Sequence, residues 1–267
     1  MTNVYIIDGA RTAFTAFGGS FAGVDAVQLG TATAVEALKR SGVKPEQIDH
    51  VVYGGVITTG QNSAYLARHI GLYAGVPQEV PALTQNRLCG SGMQSVVTAA
   101  QQILLGEANA VLAGGAENMS QSPYSNFEQR FGGAKIGDLK FIDMLSATLT
   151  DQYTGNGMGM TAEKLAEQYS ISREEQDEFA LLSHARAAAA RDAGKFKEEI
   201  VPVTVKTRKG ELVIDTDEHI KDGGTMESLA KLRPAFKKDG TVTAANASGI
   251  NDGAASVVVA SEQFVQD

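Results

Sequence analysis

From Ser91 to Leu105 the chain runs without a single charged residue. Met93, Val96, Val97, Ala100 and Leu104 recur there at helical spacing, and the other positions are mostly Ser, Thr, Ala and Gln. A helix with so little polarity on any face is expected to be buried on several sides. The flanking sequence supplies layers to bury it. Val4 to Ile7, Val51 to Tyr53, Val80 to Leu83 and Ala110 to Ala113 read as strands. Asp25 to Arg40 and Ser63 to Ala74 read as the helices between them. Strands alternating with helices predict a layered α/β fold with a largely parallel sheet.

Beyond Gly114-Gly115 the texture becomes more polar and irregular. Ser122 to Leu139 reads as loop, and Thr161 to Tyr169 as a short helix. A long helix is expected from Ser172 to about Ala193, opened by a Ser172/Glu175 capping box and stopped by Gly194. Ile200 to Lys206 and Glu211 to Ile214 flank Thr207-Arg208-Lys209-Gly210 as a hairpin. Strand character returns in Ala254 to Val259. The polar middle therefore reads as an insertion, residues 118–244, into an α/β domain made of 1–117 and 245–267.

Cys89 is the single cysteine, so no intramolecular disulfide is possible. In Asn86-Arg87-Leu88-Cys89-Gly90-Ser91-Gly92 it falls on a glycine-flanked turn between a strand and the uncharged helix. The free N–H groups and the positive end of a helix favour negative charge at such a position. A sulfur held there can attack a carbonyl while backbone N–H groups receive the oxyanion. A lone cysteine also reads as a small buried hydrophobe. The glycines favour the nucleophile, because they let a substrate approach the backbone closely.

A net charge of −8 argues against general nucleic-acid binding. No signal peptide opens the chain and no apolar stretch is long enough to span a bilayer, so the expected compartment is the cytoplasm. No residue spacing suggests a metal site or a phosphate-binding P-loop.

The motifs resemble those of a known family. Asn86 to Gly92 resembles the nucleophile motif of thiolases, and Gly114-Gly115-Ala116-Glu117-Asn118-Met119-Ser120 the glycine-rich segment that follows it. Asn246 to Ala254 resembles the motif that closes the thiolase N-terminal half, and Lys231 to Phe236 fits between these motifs. The match covers essentially the whole chain, and within the family it is most like the acetyl-CoA acetyltransferases. It implies a thiolase-like layered α/β fold with a mixed, mostly parallel sheet and an inserted α+β loop domain that cradles CoA. It implies that Cys89 takes an acyl group from a CoA thioester, and that the carbanion of a second acetyl-CoA then attacks that group. Cleavage of a 3-oxoacyl-CoA by CoA is the reverse. Acetyl-CoA, acetoacetyl-CoA and CoA are then the substrates and products, with no cofactor. The Cys89 N–H would contribute to an oxyanion hole.

By the same resemblance, Leu149, Ser228, Ala244, Ala247 and Ser248 contact the pantetheine and adenine parts of CoA. Lys221 falls where short-chain members often carry an arginine near the nucleotide. Met158 and Phe236 wall the acyl pocket; alone, each reads equally as core packing. His184 and His219 fall on no family catalytic position, and His184 reads as a surface or packing residue of the long helix. Gly157 stands where many biosynthetic members have a histidine, which keeps a 3-oxoacyl-CoA thiolase for longer chains open as an alternative. A non-catalytic acyl-CoA-binding half is another. The family's second half supplies a histidine that activates the nucleophile, a second cysteine and an asparagine. This chain has one cysteine and no Gly-His-Pro motif. It is therefore expected to be a truncated chain, or a split or prematurely ended gene product, with little turnover alone. A homodimer or tetramer is implied, with Ser125 to Lys140 where tetrameric members have an extended loop.

Overall fold

The computed structural model describes residues 3–267. Backbone contacts divide them into two units. The first runs to Ser122 and includes Lys197–Glu218 and Asn251–Asp267; the second comprises Pro123–Phe196 and His219–Ile250.

The first unit is built on one sheet. Its elements are β1 (Val4–Arg11), β2 (Thr15–Ala16), α1 (Ala26–Ser41), β3 (His50–Gly54), α2 (Leu66–Tyr73), β4 (Ala82–Gln85), α3 (Ser91–Leu104), β5 (Ala110–Asn118), β6 (Val203–Thr207), β7 (Gly210–Ile214) and β8 (Asn251–Ser261). The strand order is β1-β8-β5-β3-β4, with β2 also paired to β8. β3 runs parallel to β4 and β5, while β8 is antiparallel to β1, β2 and β5. The sheet is therefore mixed but mostly parallel in strand direction, because β8 alone runs against the others.

Side chains alternate across the strands. Val52, Val111, Ala113 and Val259 form a buried cluster with Ala99 and Ile103 of α3. On the other face, Val51 lies against Gly71 of α2, and the Ser256 hydroxyl sits 2.6 Å from both Thr33 of α1 and Tyr53. One face of the sheet thus carries α1 and α2, and the other carries α3. The α3 helix is not enclosed as its composition predicts. It buries Ser91, Ser95, Ala99 and Ile103, one stripe at intervals of four, against the sheet. Met93, Val97 and Leu104 are exposed. The reason is layering: the sheet covers one stripe, and the described residues build no second layer over the other.

The β6–β7 hairpin also departs from expectation. It is expected inside the insertion, yet it belongs to the first unit. Arg11 of β1 holds this segment through Glu199 at 3.1 Å and Asp217 at 2.8 Å, and the Val201 N–H donates to the Arg11 carbonyl.

The second unit contains α4 (Met144–Thr148), α5 (Met158–Tyr169), α6 (Arg173–Asp192) and α7 (Met226–Ala230). The expected capping box opens α6: the Glu175 N–H donates to the Ser172 hydroxyl, and the Ser172 N–H donates to the Glu175 carboxylate. A buried polar group organises this unit. Glu163 of α5 accepts N–H bonds from Thr241 and Val242 and the Thr241 hydroxyl. Burial opposes its charge, but these donors prevail and hold its carboxyl below the ordinary carboxylate range.

Candidate active site

β4 delivers the chain to the Cys89 turn. Asn86 shapes that turn with both ends of its side chain: its oxygen accepts the Leu88 N–H at 2.8 Å, and its amide donates to the Val56 carbonyl at 3.2 Å. Leu88 adopts a left-handed conformation with φ 50°, which is strained for a branched side chain. Ser91 braces the turn from inside the helix. Its hydroxyl donates to the Leu88 carbonyl at 2.7 Å and accepts the Arg87 N–H at 2.8 Å. The Ser91 N–H donates to the Leu88 carbonyl, and the Gly90 N–H to that of Arg87. Cys89 is held exposed on this turn, one residue before the Gly90 N-cap of α3.

The start of α3 sits hard against the sheet. A Cβ on Gly54 of β3 would lie 2.5–2.7 Å from Ser91, backbone included, so only glycine allows the approach. Glu117, near the end of β5, secures the neighbouring loop. Its two carboxylate oxygens accept the Val56 N–H at 2.8 Å and the Ile57 N–H at 3.2 Å. Burial pushes its carboxyl above the ordinary range, and those two N–H groups only partly counter it. Glu117, Val56 and Asn86 thus form a continuous chain of contacts ending at the Cys89 turn. Asn86, Ser91 and Glu117 stand inside the sequence motifs, but the motifs alone give them no role. For Glu117 the one signal in the sequence is a lone carboxylate after an apolar strand.

The second unit holds a cavity of about 360 Å³ between α6, α7 and the loops 219–224 and 244–247. Of the residues expected at CoA, Lys221, Ala244 and Ala247 line it. Leu149, Met158 and Phe236 gather elsewhere in this unit: the Met158 N–H donates to the Leu149 carbonyl at 3.0 Å, and the Phe236 ring covers the Cα of Gly159. Ser228 is exposed, and its hydroxyl is engaged with Thr225 as the cap of α7. Ser248 is exposed and follows Ala247 of the cavity wall in the chain. His184, expected as a surface or packing residue, lines the cavity together with His219. Their shared position was invisible in sequence because a helix and a distant loop contribute one each. Among the described residues no cluster of metal-ligating side chains occurs, and no helix is long and apolar enough to cross a membrane.

The family model of the thiolase N-terminal domain matches residues 4–263. The chain is 48% identical to human mitochondrial 3-ketoacyl-CoA thiolase over 266 residues, covering 100% of this chain and 67% of the relative. It is 51% identical to an acetyl-CoA acetyltransferase of Cupriavidus necator, covering 98% of this chain and 66% of the relative. The crystal structure of the human mitochondrial thiolase in complex with CoA superposes with a TM-score of 0.93 at 47% identity, covering 99% of this chain and 66% of that one. The chain spans about two thirds of the length of these relatives.

Proposed function

The chain belongs to the thiolase family of acyltransferases, and on that premise we propose that it carries the nucleophile and the CoA-binding residues of an acetyl-CoA C-acetyltransferase. The observation that carries this reading is the exposed Cys89 on a braced turn at the start of α3. In the condensing direction the Cys89 sulfur attacks the thioester carbon of acetyl-CoA. The carbon–sulfur bond to CoA breaks, CoA leaves with a proton, and an acetyl group stays on Cys89. A second acetyl-CoA loses a proton next to its carbonyl, and its carbon attacks the acetyl group to give acetoacetyl-CoA and free Cys89. Thiolysis is the reverse. The apolar cavity ending at Lys221 supports CoA as the ligand of the second unit.

A second reading, 3-oxoacyl-CoA thiolysis on longer chains, is favoured by Gly157. It sits beside Leu149 and Met158 without a side chain to fill the space. The 48% identity to a 3-ketoacyl-CoA thiolase supports the same alternative. A homodimer or tetramer in the cytoplasm completes the proposal. A protein of these 267 residues alone has one cysteine, so a second cysteine to move the substrate proton has to come from elsewhere. We expect it to turn over little even where Cys89 accepts an acyl group, or to act only as an acyl-CoA-binding half.

The test is intact mass after incubation with acetyl-CoA, beside Cys89→Ala. An acetyl adduct on the wild type only supports Cys89 as acyl carrier. No adduct, with the chain folded by circular dichroism, removes acyl transfer from this chain and leaves the binding half. Full-rate thiolysis by the 267-residue protein would overturn the expectation of low turnover.

A further inference from the structure

The cavity in the second unit is apolar along its walls and cationic at one end. Leu181, Ala185 and Ala188 of α6, with Leu229, Leu232 and the alanines of loop 244–247, offer no side-chain donor or acceptor. Ionisable groups come from α6 and loop 219–224 only: His184, His219, Lys221 and Asp222. The Asp222 carboxylate is already engaged, taking two N–H bonds from Arg191 at 3.0 and 3.1 Å. Lys221 forms no ion pair among the described residues. The His184 and His219 rings lie 6.3 Å apart, with their planes 28° from parallel. The His184 Nδ1 accepts the Lys221 backbone N–H at 3.2 Å. That bond assigns the ring proton of neutral His184 to Nε2, a donor.

The end of the cavity therefore offers one fixed cation, one imidazole donor and one further imidazole, while its carboxylate is occupied. An apolar slot closed by such a set suits a ligand with a flat apolar part and a phosphate. We propose that His184 and His219 join Lys221 in holding a phosphate group of the CoA nucleotide, and that His219 takes up a proton as the phosphate arrives. This rests on the reading of the cavity as the CoA site. In the free protein burial, then Lys221 and then His184, hold the His219 imidazole below its ordinary value, so it is neutral near pH 7. An incoming phosphate reverses that balance and raises it. Binding is then accompanied by proton uptake, and CoA affinity rises as pH falls through the imidazole range.

The experiment is calorimetric titration of the 267-residue protein with CoA from about pH 8 to about pH 6, for wild type and His219→Gln, in buffers of different ionisation enthalpy. Wild-type affinity is expected to rise roughly tenfold across that range and the variant's to rise clearly less, since uptake of one proton on binding strengthens affinity by up to about tenfold for each pH step of one. The ligand's own phosphate ionisation is common to both proteins and cancels in the comparison. The buffer dependence of the heat should report more proton uptake near pH 7 in the wild type than in the variant. Equal slopes, or equal proton uptake in the two proteins, overturn the role of His219 while CoA binding itself stands. Absence of CoA binding at every pH by a folded chain overturns the CoA-site reading and this inference with it.

Discussion

Cys89 shows how little a side chain decides about its own presentation. Its exposure and direction are set by Asn86, which fixes the left-handed Leu88, and by Ser91, which ties the turn to the first residue of α3. Behind them Glu117 holds Val56 and Ile57, and Val56 in turn accepts the Asn86 amide. Two N–H groups use the two separate carboxylate oxygens of Glu117. Glu117→Gln replaces one acceptor oxygen with an NH₂ donor and leaves a backbone N–H facing it. We expect a loss of about 1–3 kcal/mol in urea unfolding and slower alkylation of Cys89 by iodoacetamide. An unchanged alkylation rate would separate Glu117 from the Cys89 turn. The carboxyl's raised value also gives a sign in pH: its contribution to stability is fullest below its ordinary 4.5 and is lost as pH rises through its folded value. Glu163, lowered in the fold, acts oppositely and weakens the second unit as pH falls through its folded value.

Among the elements, α3 is the informative case. An uncharged helix predicts burial on several sides, and the structure gives it one buried stripe and one exposed stripe. Its N-terminus can rest on β3 only because position 54 has no side chain. Gly54→Ala would set a Cβ against the Ser91 backbone, which has no free rotamer to yield. The expected cost is about 1–3 kcal/mol by thermal or urea unfolding, together with faster proteolysis near the Cys89 turn. A variant as stable as wild type would mean that the α3 terminus is not tightly seated on β3. By contrast, α6 is self-sufficient at its start, since Ser172 and Glu175 cap each other within one turn.

At the scale of the whole molecule, the exposed stripe of Met93, Val97 and Leu104 is the largest consequence of that one-sided burial. Apolar side chains presented together on one helix face favour association. Sedimentation velocity should show assembly of the 267-residue protein rising with concentration, and a Met93→Lys, Val97→Lys double variant should reduce it. A wild type that stays monomeric at high concentration would refute this. What the amino-acid sequence determined by itself was everything governed by near neighbours: the strand and helix alternation, the capping of α6, the β6–β7 hairpin, and the turn that carries Cys89 with its family motif. Those features depend on spacing and residue type within a few positions, so a linear reading reaches them. Only the tertiary structure decided that β8 would enter the sheet antiparallel, that α3 would be covered on one face, and that residues 197–218 would join β1 through Arg11. It alone brought His184 to His219 and Glu117 to Val56. These pairings join groups 35 or more positions apart in the chain. Their contact is set by how the layers pack, and no local pattern of residues encodes that.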